Sequence, residues 1–178
     1  IPQVIAPGAT DYLLYGGKEG VVPQQYIDQL GERGGYWHNP NIYLMGTTLD
    51  EAYTLGREMA ERVKDAKAPC VICVPTRGFS GTDMAHPDLS CGWSGENTPP
   101  FWIEDRENPG HSLRAKRLCD GLRDVLKENH NENVQVLLVD RHINQPQFGE
   151  LCGELLRAML EGKWTPAMGC EKDYVKAL

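Results

Sequence analysis

Apolar and polar positions along this chain group into strand-like and helix-like stretches that take turns. Cys70-Val-Ile-Cys-Val-Pro75 is an unbroken apolar run, and it gives way to Thr76-Arg-Gly-Phe-Ser-Gly-Thr-Asp83, rich in glycine and hydroxyls. A run suited to burial on both faces marks a central strand of a parallel sheet. Residues 3–6, 41–46 and 134–140 read as three further strands. Helical spacing joins Ala52, Leu55, Met59, Ala60 and Val63, then Ala115, Leu118, Cys119, Leu122 and Val125, then Phe148, Leu151, Cys152, Leu155 and Met159. Thr48 and Glu51 predict a capping box for the first helix. Ser112 is placed to cap the second, and Pro146 to open the third.

The weaker stretches carry weaker expectations. Residues 12–15 read as a short apolar turn capped by Asp11, and residues 16–35 as a loop with one helical turn near Gln24. His38, before Asn39-Pro40, reads as a turn residue. Residues 76–111 have no sustained period yet hold Trp93, Phe101 and Trp102, which predicts an ordered excursion over the sheet's carboxyl edge or onto a partner. The alternation as a whole predicts an α/β fold: a three-layer, mostly parallel Rossmann-like sheet with helices on both faces. At least four parallel strands would run through Val4, Leu44, Ile72 and Leu137. The single domain would span residues 1–162, with 163–178 a tail whose Trp164 docks on the body.

Composition narrows the partners. The chain has 178 residues, near the usual size of one domain. A formal net charge of -7 argues against nucleic acid and anionic membranes as partners. No apolar run approaches the about 20 residues that span a bilayer, and no leader-like segment opens the chain. Of the six cysteines, Cys70 and Cys73 form a CxxC. Positions three apart on a strand point to opposite faces, so these two cannot share one zinc. Reduced, buried cysteines of a cytoplasmic protein are the expectation. The chain opens at Ile1 in a stretch that already reads as a strand, which predicts the carboxyl-terminal portion of something longer.

Chemistry is expected where strands end. Loops at 7–11, 47–48, 77–81 and 141–144 would share the carboxyl edge of a parallel sheet, the usual place for ligands in such folds. Arg77 offers a bidentate fork for carboxylate or phosphate. Gly8, Gly78, Ser80 and Asn144 would complete a pocket for a small anionic ligand. Asp11 is either a cap or a ligand-facing carboxylate. His142 is either a structural partner of Asp140 or an acid, base or metal ligand. With His142 as acid or base, Asp11 as second carboxylate and Arg77 as clamp, the chain would be a hydrolase or lyase acting on a small carboxylate or phosphorylated metabolite. A third reading uses Trp93 and Trp102 as contact anchors.

The stretches Ile1-Pro-Gln-Val-Ile-Ala-Pro-Gly-Ala-Thr-Asp11, His38-Asn-Pro40, Leu44-Met-Gly-Thr-Thr48, Pro75-Thr-Arg-Gly-Phe-Ser80 and Asp140-Arg-His-Ile-Asn144 together resemble the carboxyl-terminal half of the Tm-1-like, UPF0261 family. The resemblance implies a two-subdomain α/β protein whose amino-terminal subdomain lies outside this chain, with the ligand in the cleft between them. It also implies nucleotide binding, because a plant member binds ATP and blocks tobamovirus RNA replication. ATP, with Mg, is therefore the implied cofactor, and a homo-oligomer the implied assembly. The sequence departs from the family's pattern between Gly81 and His111 and after Gly162.

Overall fold

In the computed structural model, which describes residues 1–16, 22–85 and 99–178, two separate sheets organise the chain. The larger holds β1 (Gln3–Ile5), β5 (Cys70–Pro75), β6 (Val134–Val139) and β7 (Val175–Ala177), in that order. The first three are parallel, and β7 returns antiparallel with Val175 opposite Val139. The smaller sheet is antiparallel: β2 (Tyr12–Gly16), β4 (Ile42–Gly46) and β3 (Gly35–Asn39), with β4 in the middle. Two short turns, α1 (Gln24–Ile27) and α2 (Leu30–Arg33), connect β2 to β3. The long helices are α3 (Leu49–Val63), α4 (Leu113–Leu126) and α5 (Pro146–Leu160).

Strand β5 is buried along its whole length, as an unbroken apolar run requires. Its side chains alternate between two cores. Cys70, Ile72 and Val74 face α3 and α4, among Ala60, Leu118, Leu122 and Val125. Val71 and Cys73 face α5, among Phe148, Leu151 and Leu155. The CxxC cysteines therefore do point apart, and every described cysteine is a free thiol. Trp164 packs against the α5 core, and the segment beyond it supplies β7 rather than remaining a loose tail.

The strand through Leu44 is where expectation and structure part. Val4, Ile72 and Leu137 do share a parallel sheet, but Leu44 lies in the antiparallel one, opposite Leu14 and Tyr36. Parallel strands need a crossover of a dozen or more residues, whereas antiparallel neighbours need only a tight turn. Asn39-Pro40-Asn41 is such a turn, with the Asn41 amide donating to Asn39 Oδ1 at 2.8 Å. His38 accordingly sits in β3, not in the turn. Residues 12–15 form β2 instead of a capped helical turn, with Leu14 60% exposed on its outer face. The expected anchor Trp93 lies outside the described residues, while Phe101 is buried and Trp102 half-buried. Among the described residues no helix is long and apolar enough to cross a membrane.

The capping box on α3 forms as predicted: Glu51 N donates to Thr48 Oγ1 at 3.1 Å, and Thr48 N to Glu51 Oε2 at 2.9 Å. Helix α3 meets α4 backbone to backbone through paired glycines. A Cβ on Gly56 would lie 2.0 Å from the Leu118 carbonyl oxygen, and one on Gly121 2.1 Å from that of Tyr53. In an exposed helix Gly→Ala stabilises by ~1 kcal/mol, but here the helices must separate. Gly121→Ala is therefore expected to destabilise by ~1–3 kcal/mol, the usual range for overpacking. Urea unfolding checks it; a raised midpoint would show that the helices part freely.

Candidate functional site

The loops that end the strands do converge. Ala9 N donates to Phe79 O at 3.0 Å, Ile143 N to Gly78 O at 3.1 Å, and Arg77 N to Arg141 O at 3.3 Å. Strand β4 arrives from the other sheet, yet it too delivers its loop: Thr47 N donates to Asp11 O at 2.9 Å and Thr47 Oγ1 to Thr10 O at 3.0 Å. Gly78 permits the tight fold of residues 78–83. Its φ is 130°, and a Cβ there would lie 1.6 Å from Asp83 O.

Under these loops lie two carboxylates without solvent exposure, Asp11 and Asp83. Ser80 Oγ donates to Asp11 Oδ2 at 2.6 Å and Thr82 Oγ1 to the same oxygen at 2.8 Å, while among the described residues Asp11 Oδ1 has no partner. Asp83 Oδ2 accepts from Phe79 N at 3.2 Å and Ser112 Oγ at 2.9 Å. Ser112 thus occupies the cap position of α4 but spends its hydroxyl on Asp83, not on the helix. Arg114, 2% exposed, donates to the carbonyl oxygens of Thr47, at 2.9 Å, and of Phe101. Burial raises the Asp11 carboxyl above its usual range. Burial, then the charge of Asp11, pushes Asp83 up to about 7, against the pull of Arg114.

Three named residues sit differently from a poised ligand shell. Ser80 is committed to Asp11. Gly8 is exposed, but a Cβ on it would lie 2.9 Å from Ile143 Cδ1. His142 is 3% exposed, with Nε2 at 2.9 Å from Ser80 O and Nδ1 at 3.2 Å from the donating Asn144 amide. A carbonyl only accepts, so Nε2 carries the proton and the ring braces one loop against the other. Its neighbour Asp140 turns to other partners.

Asp140 binds Arg77 and His111. Arg77 Nε and Nη2 donate to its two oxygens at 2.6 and 3.3 Å, and His111 Nε2 lies 3.0 Å from Oδ1. The hydrogen bond from Arg77 is the chief reason this carboxyl stays below its usual range. Arg77 remains 44% exposed, and among the described residues its Nη1 has no hydrogen-bond partner. Next to this group is a cavity of about 350 Å³ between α4 and strands β6 and β7, with Thr76, His111, Ser112, Lys116, Asp140 and Tyr174 in its wall. None of Gly8, Asp11, Arg77, Gly78, Ser80, His142 or Asn144 lines it; Arg77 reaches it through Asp140. Sequence reasoning passed over His111, Asp83 and Arg114. An Arg within a helix's first turn, on the face of Leu118 and Leu122, was the available sign for the last. Among the described residues no three His, Cys, Asp or Glu side chains group to hold a metal.

Asp83 makes stability depend on pH. The folded state keeps its proton to about pH 7, while the unfolded chain releases it near 3.8. Its contribution is complete at acid pH and is lost as the pH rises through about 7, by at most ~1.4 kcal/mol per unit. The unfolding midpoint is expected to fall between about pH 4 and 7 and to level off above, and Asp83→Asn to flatten that slope. Equal slopes in the two proteins would mean that Asp83 does not carry the proton.

The sequence model for the C-terminal domain of the uncharacterised protein family UPF0261 matches residues 1–90. A UPF0261 protein of Clostridium tetani is 29% identical over 162 residues, 90% of this chain and 33% of that protein. One from Mesorhizobium japonicum is 28% identical over 156 residues, 88% of this chain and 32% of its own length. The ToMV resistance protein Tm-1(GCR237) of Solanum lycopersicum is 28% identical over 148 residues, 83% of this chain and 16% of that protein. This chain spans a third or less of the length of these relatives.

Proposed function

The chain belongs to the UPF0261 family, where it corresponds to the C-terminal domain, and from that premise we propose that it forms one wall of a site for a small anionic ligand, a nucleotide or an anionic metabolite. One observation carries the reading. At the convergence of the loops Arg77 presents an Nη1 edge without a hydrogen-bond partner among the described residues, while Asp140 holds its other edge in place. A guanidinium held along one edge loses little further freedom when it binds carboxylate or phosphate along the other. Gly8 and Asn144, both exposed, flank it on the neighbouring loops; Gly78 and Ser80 shape the Arg77 loop from beneath.

ATP is the nucleotide proposed, on the resemblance of the motifs. Mg²⁺ accompanying it would take its ligands largely from phosphates and water, so the reading needs no protein cage. The other wall would come from the amino-terminal part of the same protein, in keeping with the share of its relatives that this chain spans. A homo-oligomer and a cytoplasmic location belong to the same proposal, the latter resting on the free thiols.

Calorimetric titration of the full-length protein with ATP, ADP and inorganic phosphate tests the reading. Arg77→Ala is expected to weaken binding by ~1.5–3 kcal/mol, roughly 10- to 150-fold, as loss of a charge-assisted hydrogen bond does. Arg77→Lys should fall between, keeping charge without the fork. An unchanged Kd in Arg77→Ala, or no binding of any of the three anions, would remove the site.

A further inference from the structure

We propose that His111, positioned by Asp140 and through it by Arg77, is the proton-transferring group of an acid–base site in the 350 Å³ cavity, acting on a small anionic carbonyl compound at the carbon α to its carbonyl. The inference takes its ligand class from the anion-binding reading and adds the chemistry.

Geometry makes His111 the group to choose. Its Nε2 lies 3.0 Å from Asp140 Oδ1, and a carboxylate only accepts, so the proton of the neutral ring sits on Nε2. That leaves Nδ1 bare, and among the described residues it has no hydrogen-bond partner. The side chain is 28% exposed and lines the cavity. Asp140 is itself held by two hydrogen bonds from Arg77, so the ring's orientation is set from behind. A base in a cavity wall, oriented by a carboxylate through one ring nitrogen, is the arrangement that general acid–base chemistry uses. His142 lacks it, being buried with both ring nitrogens engaged.

The other groups in the wall decide the class of reaction. Ser112 Oγ donates to Asp83 at 2.9 Å and Thr76 Oγ1 to Val139 O at 3.1 Å, so neither hydroxyl is an activated nucleophile. The Cys119 thiol, pushed up to about 12 by burial, remains protonated. Neither hydroxyl nor the thiol therefore offers an activated attacking group, whereas proton transfer has a base in His111. Lys176, and Lys116 beside its ion pairs with Glu107 and Asp105, line the same cavity and supply positive charge for a substrate carboxylate or phosphate and for a developing enolate oxygen. In the step, the C–H proton passes to Nδ1, the bonding pair forms the enolate double bond, and the carbonyl electrons move onto oxygen. Return of a proton from Nδ1 to carbon closes the cycle, and no co-reactant is consumed.

The test uses the full-length protein and two readouts. Nitrogen-15 spectra of histidine-labelled protein should show neutral His111 protonated at Nε2, with an Nδ1-protonated population appearing in Asp140→Asn. In D2O, proton spectra of pyruvate, 2-oxoglutarate and dihydroxyacetone phosphate should show protein-catalysed loss of the α C–H signal for at least one of them. His111→Gln should slow that exchange by about 100-fold or more, the low end of what general base catalysis contributes, while calorimetry shows the probe still bound. Probe that binds without exchange above buffer, exchange unaffected by His111→Gln, or a wild-type ring protonated at Nδ1 would each overturn the inference and leave anion binding standing. If no probe binds, this inference falls, while anion binding at the Arg77 edge is decided separately by the titrations with ATP, ADP and phosphate.

Discussion

Two buried carboxylates hold the architecture together. Asp11 opens β2 of the small sheet, and Asp83 closes the loop that follows β5 of the large one. Ser80 and Thr82 tie the β5 loop to Asp11; the Phe79 amide closes that loop on Asp83, and Ser112 ties Asp83 to the start of α4. Arg114 adds its charge from within the same knot and fastens the end of β4 through Thr47 O. Burying an ionised carboxylate is unfavourable unless hydrogen bonds and opposite charge compensate. Here burial raises both carboxyls above the ordinary range, with the charge of Asp11 adding to the effect at Asp83, and the one guanidinium of Arg114 only partly offsets it. A polar cluster of this kind adds little net stability. What it does is specify how the loops of two sheets meet, and that meeting shapes the carboxyl edge.

Much of the edge was legible in the sequence because its makers are strong local signals. The apolar run of β5 admits only a doubly buried strand, and the capping box of α3 forms as read. Convergence of the loops at 7–11, 47–48, 77–81 and 141–144 followed from those elements, and the hydrogen bonds between them bear it out. The pairing of β4 was not legible from its own residues. Ile42-Tyr-Leu-Met-Gly46 is as apolar as a parallel strand, and register is decided by neighbours. The cue lay beside it, in the Asn-Pro-Asn turn that permits a hairpin. The edge came out right despite the wrong sheet, because β4 still ends beside Asp11.

Side-chain roles were less legible, since they depend on which partner arrives first. Ser112 stands where a cap belongs, but Asp83 takes its hydroxyl. His142 and His111 are both loop histidines in the sequence, and only the fold separates them. The first is closed in by Ser80 O and the Asn144 amide; the second reaches Asp140 at a cavity wall. Arg77 reads in the sequence as a cation needing an anion, and in the fold Asp140 meets part of that need internally.

That half-satisfaction links the outer edge to the cavity. Asp140 cannot hold Arg77 and His111 independently, because Arg77 Nε and His111 Nε2 both bind its Oδ1. An anion drawn to Nη1 adds negative charge on the far side of the guanidinium and weakens its hold on Asp140. The carboxylate then turns more of its charge toward the His111 Nε2–H. Charge at the edge would thus reach the cavity through one shared oxygen, without movement of a strand or helix. These groups lie near the surface, at 44% exposure for Arg77 and 41% for Asp140, so salt screens the coupling. It operates at full strength only where a second wall excludes water from the edge. The family's longer chains, of which this one spans a third or less, have the length to supply such a wall.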